Sequence, residues 1–118
     1  MKVNIEVNRL LKKILQDLED LKAKDVKVID IKNRSALGDY IIIVSGTSSR
    51  HLNSIVNNIV KNNKKNVIST EGLKSTDWLI VDFGDIILNV FKPEIREHYS
   101  LEKIWKNIDL KDEKVGFG

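Results

Sequence analysis

The sequence predicts an α/β domain built on a mixed sheet of four or five strands with helices on both faces. Three observations carry that expectation. Apolar residues recur at three- and four-residue spacing near the N-terminus and again over 50–62, the mark of amphipathic helices. Tyr40-Ile41-Ile42-Ile43-Val44 is a continuous β-branched run, which belongs in a strand covered on both faces. The runs 78–82 and 86–91 are separated only by Phe83-Gly84-Asp85, a spacer that fits an antiparallel hairpin.

The elements follow in order. Val7, Leu10, Leu11, Ile14, Leu15, Leu18 and Leu21 form one stripe of the first helix, with Lys12, Lys13, Asp17, Glu19 and Asp20 left for water. Val28 to Ile31, with room to extend to Arg34, reads as a strand at the sheet margin. After the Tyr40–Val44 strand, Ser45-Gly46-Thr47-Ser48-Ser49 breaks the run and supplies hydroxyls that can cap a helix. Leu52, Ile55, Val56, Ile59 and Val60 line one side of that helix. It ends at Asn62-Asn63-Lys64-Lys65, where cations suit the negative pole. Val67 to Thr70 is a candidate short strand, and the hairpin follows. Pro93 can open a helical turn, and 94–99 and 100–108 read as short helices. Strand 40–44, helix 50–62 and a later strand can form a crossover unit, right-handed if parallel. Residues 1–110 are expected as one domain and 111–118 as a frayed polar tail.

Composition sets bounds on function. The chain has 118 residues, 42% apolar and 31% charged, as expected of one globular domain. It has no cysteine, so it has no disulfide framework, thiolate metal site or cysteine nucleophile. No apolar run approaches the roughly 20 residues that span a bilayer. The N-terminal stretch lacks a secretory apolar core and carries Glu6 and Asp17, so the chain reads as cytoplasmic, with no membrane partner. Net charge is +3, too small alone to argue for nucleic acid. Its distribution is uneven: residues 1–65 sum to +6 and residues 66–118 to −3. That leaves the C-terminal half suited to a basic partner.

Candidate chemistry is sparse. Gly46-Thr47-Ser48 lies at a strand-to-helix corner where a phosphate could sit. It lacks both the P-loop and the dinucleotide-binding spacing, so turn and cap are the preferred reading. Asp82 and Asp85 flank the hairpin and Glu71 and Asp77 precede it. Metal-assisted transfer would want two inward carboxylates two apart on one strand face, whereas Asp82 and Asp85 are three apart across a turn. His51 and His98 stand alone and read as surface or capping residues. Lys61, Lys64 and Lys65 could touch phosphates or simply solvate a helix end. No catalytic residue, metal ligand or cofactor is therefore expected. Trp78, Phe83, Phe91, Tyr99 and Trp105 all fall within 28 residues, whereas the first half of the chain has only Tyr40. With Arg96 nearby they suit an interface, although Phe91 and Trp105 are better read as core.

At this point the chain resembles the Iojap-related ribosomal silencing factors. The stretches that carry the likeness are residues 37–51, Leu37-Gly38-Asp39-Tyr40 through Arg50-His51; Glu71-Gly72 followed by Trp78; Val81-Asp82-Phe83-Gly84-Asp85-Ile86-Ile87; and Val90-Phe91 through Arg96, Tyr99, Leu101, Glu102 and Trp105. They stand in family order over roughly 5–108. The resemblance implies a nucleotidyltransferase-related fold that does not act as an enzyme. It also implies docking on the large ribosomal subunit through ribosomal protein uL14, on the face that meets the small subunit. Subunit joining is then blocked and translation falls under nutrient limitation. On that reading Trp78, Asp82, Tyr99 and Glu102 sit at or near the docking surface, with internal capping left open for Asp82 and Glu102. One departure is Asn89, where the family often has histidine; asparagine still donates and accepts hydrogen bonds. Ribosomal RNA near the bound chain and a homodimer of the free chain stay open. Two rival classes also remain: a Mg²⁺-dependent nucleotidyltransferase, and a direct RNA-binding module using Lys61, Lys64 and Lys65.

Overall fold

A computed structural model describes residues 4–32, 38–72 and 77–95. The N-terminal stripe folds as helix α1 (Asn4–Asp20). Val7, Ile14 and Leu18 are buried, and Leu10, Leu11, Leu15 and Leu21 pack partly against the same core. The helix ends in a reciprocal pair of hydrogen bonds. Ala23 N–H donates to Leu18 O at 3.0 Å and Lys22 N–H to Glu19 O at 3.0 Å. This arrangement needs a left-handed residue just past the last turn, and Lys22 supplies it at φ 61°.

Strand β1 (Lys24–Asp30) runs antiparallel to β2 (Tyr40–Ser45) and forms one edge of the sheet. It begins four residues ahead of the expected Val28. Its register shifts between Lys24 and Lys27, and Asp25 takes φ 50°; a bulge of this kind twists and blunts an edge. Ile31 lies just past the strand, buried, with its N–H on Asp39 O at 2.9 Å. The possible extension to Arg34 falls outside the described residues. Lys32 Nζ donates to the Tyr40 hydroxyl at 2.9 Å and lies 4.9 Å from its ring centroid. The Tyr40 bond, ahead of Asp30 and Asp39, holds that ammonium above the usual lysine value.

β2 is the buried strand that its β-branched run predicts. Ile42 and Val44 point to the core under the helices, and Ile41 and Ile43 to a second cluster on the other face. Helix α2 (Ser49–Asn62) follows, capped by Ser48, whose Oγ accepts from His51 N–H at 3.1 Å. Leu52, Ile55, Val56 and Ile59 form its buried side. β3 (Ser69–Gly72), β4 (Trp78–Asp82) and β5 (Ile86–Phe91) complete a five-stranded sheet in the order β1-β2-β5-β4-β3. β5 inserts parallel to β2, and the β4–β5 hairpin is antiparallel as expected.

Gly38 permits a close approach at the seam. A Cβ there would sit 3.0 Å from both the Gly84 and Asp85 carbonyl oxygens. Asp39 and Tyr40 N–H groups both donate to Asp85 O, at 2.7 and 3.0 Å, so the loop and the hairpin are locked together.

Both α1 and α2 cover one face of the sheet. The opposite face carries Ile29, Ile31, Ile41, Ile43, Trp78 and Phe91 and is met by Ile95 from a helical turn at 93–95. Helical structure thus touches both faces. The expected helices beyond that turn, and the 111–118 tail, lie outside the described residues. No described helix is long and apolar enough to cross a membrane.

Candidate docking face

Side chains alternate along a strand, so β4 sorts its residues cleanly. Leu79 and Val81 enter the core beneath the helices. Trp78, Ile80 and Asp82 point to the other face, each half-buried. Register extends that set sideways: Ile80 pairs with Glu71 on β3 and Asn89 on β5, while Asp82 pairs with Ser69 and Ile87. Ser69 and Glu71 are exposed. The result is an apolar strip, Trp78 and Ile80, edged by the carboxylates of Asp82 and Glu71.

Trp78 is held on both sides. Its ring tilts 34° against Phe91 with centroids 4.7 Å apart, a favourable offset geometry. Its indole Nε1–H donates to Asn89 Oδ1 at 3.2 Å. Asn89 is only 7% exposed, so this bond satisfies an oxygen that would otherwise be buried without a donor. Phe91 is fully buried, in keeping with its reading as core.

Asp82 has a local duty. Its Oδ1 accepts from Gly84 N–H at 2.7 Å, an Asx turn that closes the hairpin, where Gly84 takes φ 90°. The second carboxylate oxygen leaves Asp82 able to face a partner as well. Asp77 is tied elsewhere: Lys92 Nζ lies 3.0 Å from its Oδ1, and Lys92 N–H donates to its carbonyl at 3.1 Å. This clamps the start of β4 to the end of β5. Among the described residues, no three His, Asp or Glu side chains gather in metal-binding geometry. Tyr99 and Glu102, with Arg96, His98 and Trp105, lie outside the described residues.

The strand-to-helix corner is wired internally. Gly46 N–H donates to Phe91 O at 2.8 Å, and Thr47 N–H to His51 Nδ1 at 2.9 Å. Because Nδ1 accepts, the ring proton sits on Nε2, which donates to Leu21 O at 2.9 Å. His51 thereby bridges the start of α2 to the end of α1. The capping reading of this histidine holds, and its reach across to α1 is a contact that only the folded chain reveals. The sequence reading also missed Ile80 and Glu71 as neighbours of Trp78. The signal for Ile80 was there in the two-residue period counted from Trp78; Glu71 needed the β3–β4 register.

Comparison with known proteins agrees with this architecture. The family described as ribosomal silencing factor during starvation matches residues 4–116. The ribosomal silencing factor RsfS of Zymomonas mobilis is 36% identical over 109 residues, 90% of this chain and 82% of its own. The mouse protein named mitochondrial assembly of ribosomal large subunit protein 1 is 40% identical over 89 residues, 70% of this chain but 39% of its own length. A crystal structure of a Chromobacterium violaceum protein superimposes with a TM-score of 0.78 at 28% identity, covering 90% of this chain and 88% of that one. Since the family match runs through α1, α2 and the five strands of the described residues, this chain belongs to the ribosomal silencing factor family.

Proposed function

We propose that the chain docks on the large ribosomal subunit through ribosomal protein uL14 and bars the small subunit by occupying the contact surface. Translation then falls when nutrients are limiting. The observation that carries this reading is the outer face of β4, where Trp78 and Ile80 stand between the carboxylates of Asp82 and Glu71. Aromatic anchors with a polar rim suit a protein interface, and the acidic edge suits a basic ribosomal protein. Tyr99 and Glu102 belong to the proposed docking residues as well. The mechanism is occlusion in the cytoplasm and asks for no catalysis or cofactor. An interface of standard size buries about 1,600 Å² in total and can hold with nanomolar affinity when a few anchors are good.

The test is sedimentation of separated subunits mixed with the purified chain. The expected result is loss of joined ribosomes, with the chain travelling with the large subunit. Trp78→Ala should lose that co-sedimentation at unchanged circular dichroism, while Trp78→Phe keeps it. Free joining of subunits at saturating chain would overturn the reading, and normal docking of a folded Trp78→Ala would overturn the assigned face.

A further inference from the structure

Residues 40–70 contain no aspartate or glutamate, yet hold Arg50, Lys61, Lys64 and Lys65. In a chain that is 31% charged, so long a stretch without a carboxylate shapes the surface. The solvent side of α2 is the row Arg50, Ser54, Asn57 and Lys61, all exposed. It runs about 16 Å along the helix axis at 1.5 Å per residue. Lys64 and Lys65, exposed in the following turn, prolong it.

None of these four cations has an ion-pair partner among the described residues. Asp17, on the facing helix, already accepts from Asn63 Nδ2 at 3.2 Å. A further cation is brought in: Lys13 Nζ of α1 donates to Asn62 O at the end of α2. Arg50 moreover stands in the first turn of α2, where the helix dipole disfavours a cation and no acidic residue offsets it. Lys61, Lys64 and Lys65 suit the negative end of the helix, but Arg50 gains nothing locally, and such a departure points to function.

We propose that the outer row of α2, from Arg50 to Lys65, is a surface for the RNA sugar-phosphate backbone. Cations at both ends with hydroxyl and amide groups between them match the donors that proteins present to phosphate and sugar oxygens. The choice of RNA over other polyanions rests on the ribosomal reading above. α2 lies on the sheet face opposite Trp78. The chain therefore presents two separate surfaces, one toward a protein and one toward RNA.

The probe is a fluorescently labelled RNA hairpin with a duplex stem, followed by anisotropy from 50 to 200 mM KCl. If three lysines each neutralise one phosphate, affinity falls about 40-fold across that range, from a slope near 0.9 per phosphate. Lys61→Gln/Lys64→Gln/Lys65→Gln should flatten the slope, and Asn57→Glu should weaken binding from mid-row. Lys27→Gln, on edge strand β1 and paired with Ile43 on the sheet face away from α2, should change little. Salt-insensitive or absent binding by the wild-type chain would overturn the proposal. So would equal loss with the Lys27 variant, or equal competition by poly-glutamate, which would make the row a surface for acidic protein. Large-subunit docking is measured alongside. RNA binding without docking would sink the protein-docking reading alone, and docking without RNA binding would sink the RNA surface alone.

Discussion

The bond between Trp78 and Asn89 offers a test of how the docking face is built. Trp78→Phe keeps an aromatic ring against Phe91, whose centroid lies 4.7 Å from that of Trp78, but removes the donor 3.2 Å from Asn89 Oδ1. Asn89 is 7% exposed, so water has little access to the abandoned oxygen. The expected loss is about 1–2 kcal/mol. At an unfolding entropy of about 2.1 cal/mol/K per residue over the whole chain, Tm falls by about 4–8 °C. Asn89→Leu in the Trp78→Phe background removes both partners, and a matched apolar pair costs little. A double-mutant cycle followed by urea denaturation should therefore give a coupling of about 1 kcal/mol. Effects that add to within about 0.3 kcal/mol would refute the bond as a contributor to stability.

Two further outcomes follow from backbone geometry. Lys22→Gly places the residue suited to φ 61° at the end of α1 and should raise stability by about 0.5–1 kcal/mol in chemical denaturation; a loss would mean that the left-handed turn is absent in solution. Gly38→Ala sets a methyl group 3.0 Å from two carbonyl oxygens and should cost about 1–3 kcal/mol; a urea midpoint equal to that of wild type would show that the seam can open freely.

Central elements were legible in the sequence because burial leaves a strong pattern. The β-branched run of β2, the apolar side of α2 and the Phe83-Gly84-Asp85 spacer each had one economical reading, and the fold follows them. The two edge strands were harder to read. β1 is exposed at every position but Ile29, and β3 is exposed throughout, so neither carries the alternation that burial imposes. Both are defined by the register of their neighbours, which explains why β1 begins earlier than Val28 and β3 lies two residues beyond the expected 67–70. The candidate face was half legible. Trp78 and Asp82 stood out by residue type, but the exposed Glu71 joins them only through pairing on β3, and the span of His51 to Leu21 depends on how α1 and α2 come together.

The central pairing of β2 with β5 joins Tyr40 to Ile86 and Ser45 to Phe91. During synthesis, the isoleucine-rich strand must therefore wait for about two-fifths of the chain to be made before its inner neighbour exists. Contacts between such distant segments slow folding, and an apolar strand paired only with β1 and open along its other edge in the meantime invites aggregation. A fragment ending before β5 should come out of expression insoluble, and a nascent chain stalled there is one that a chaperone would be expected to hold.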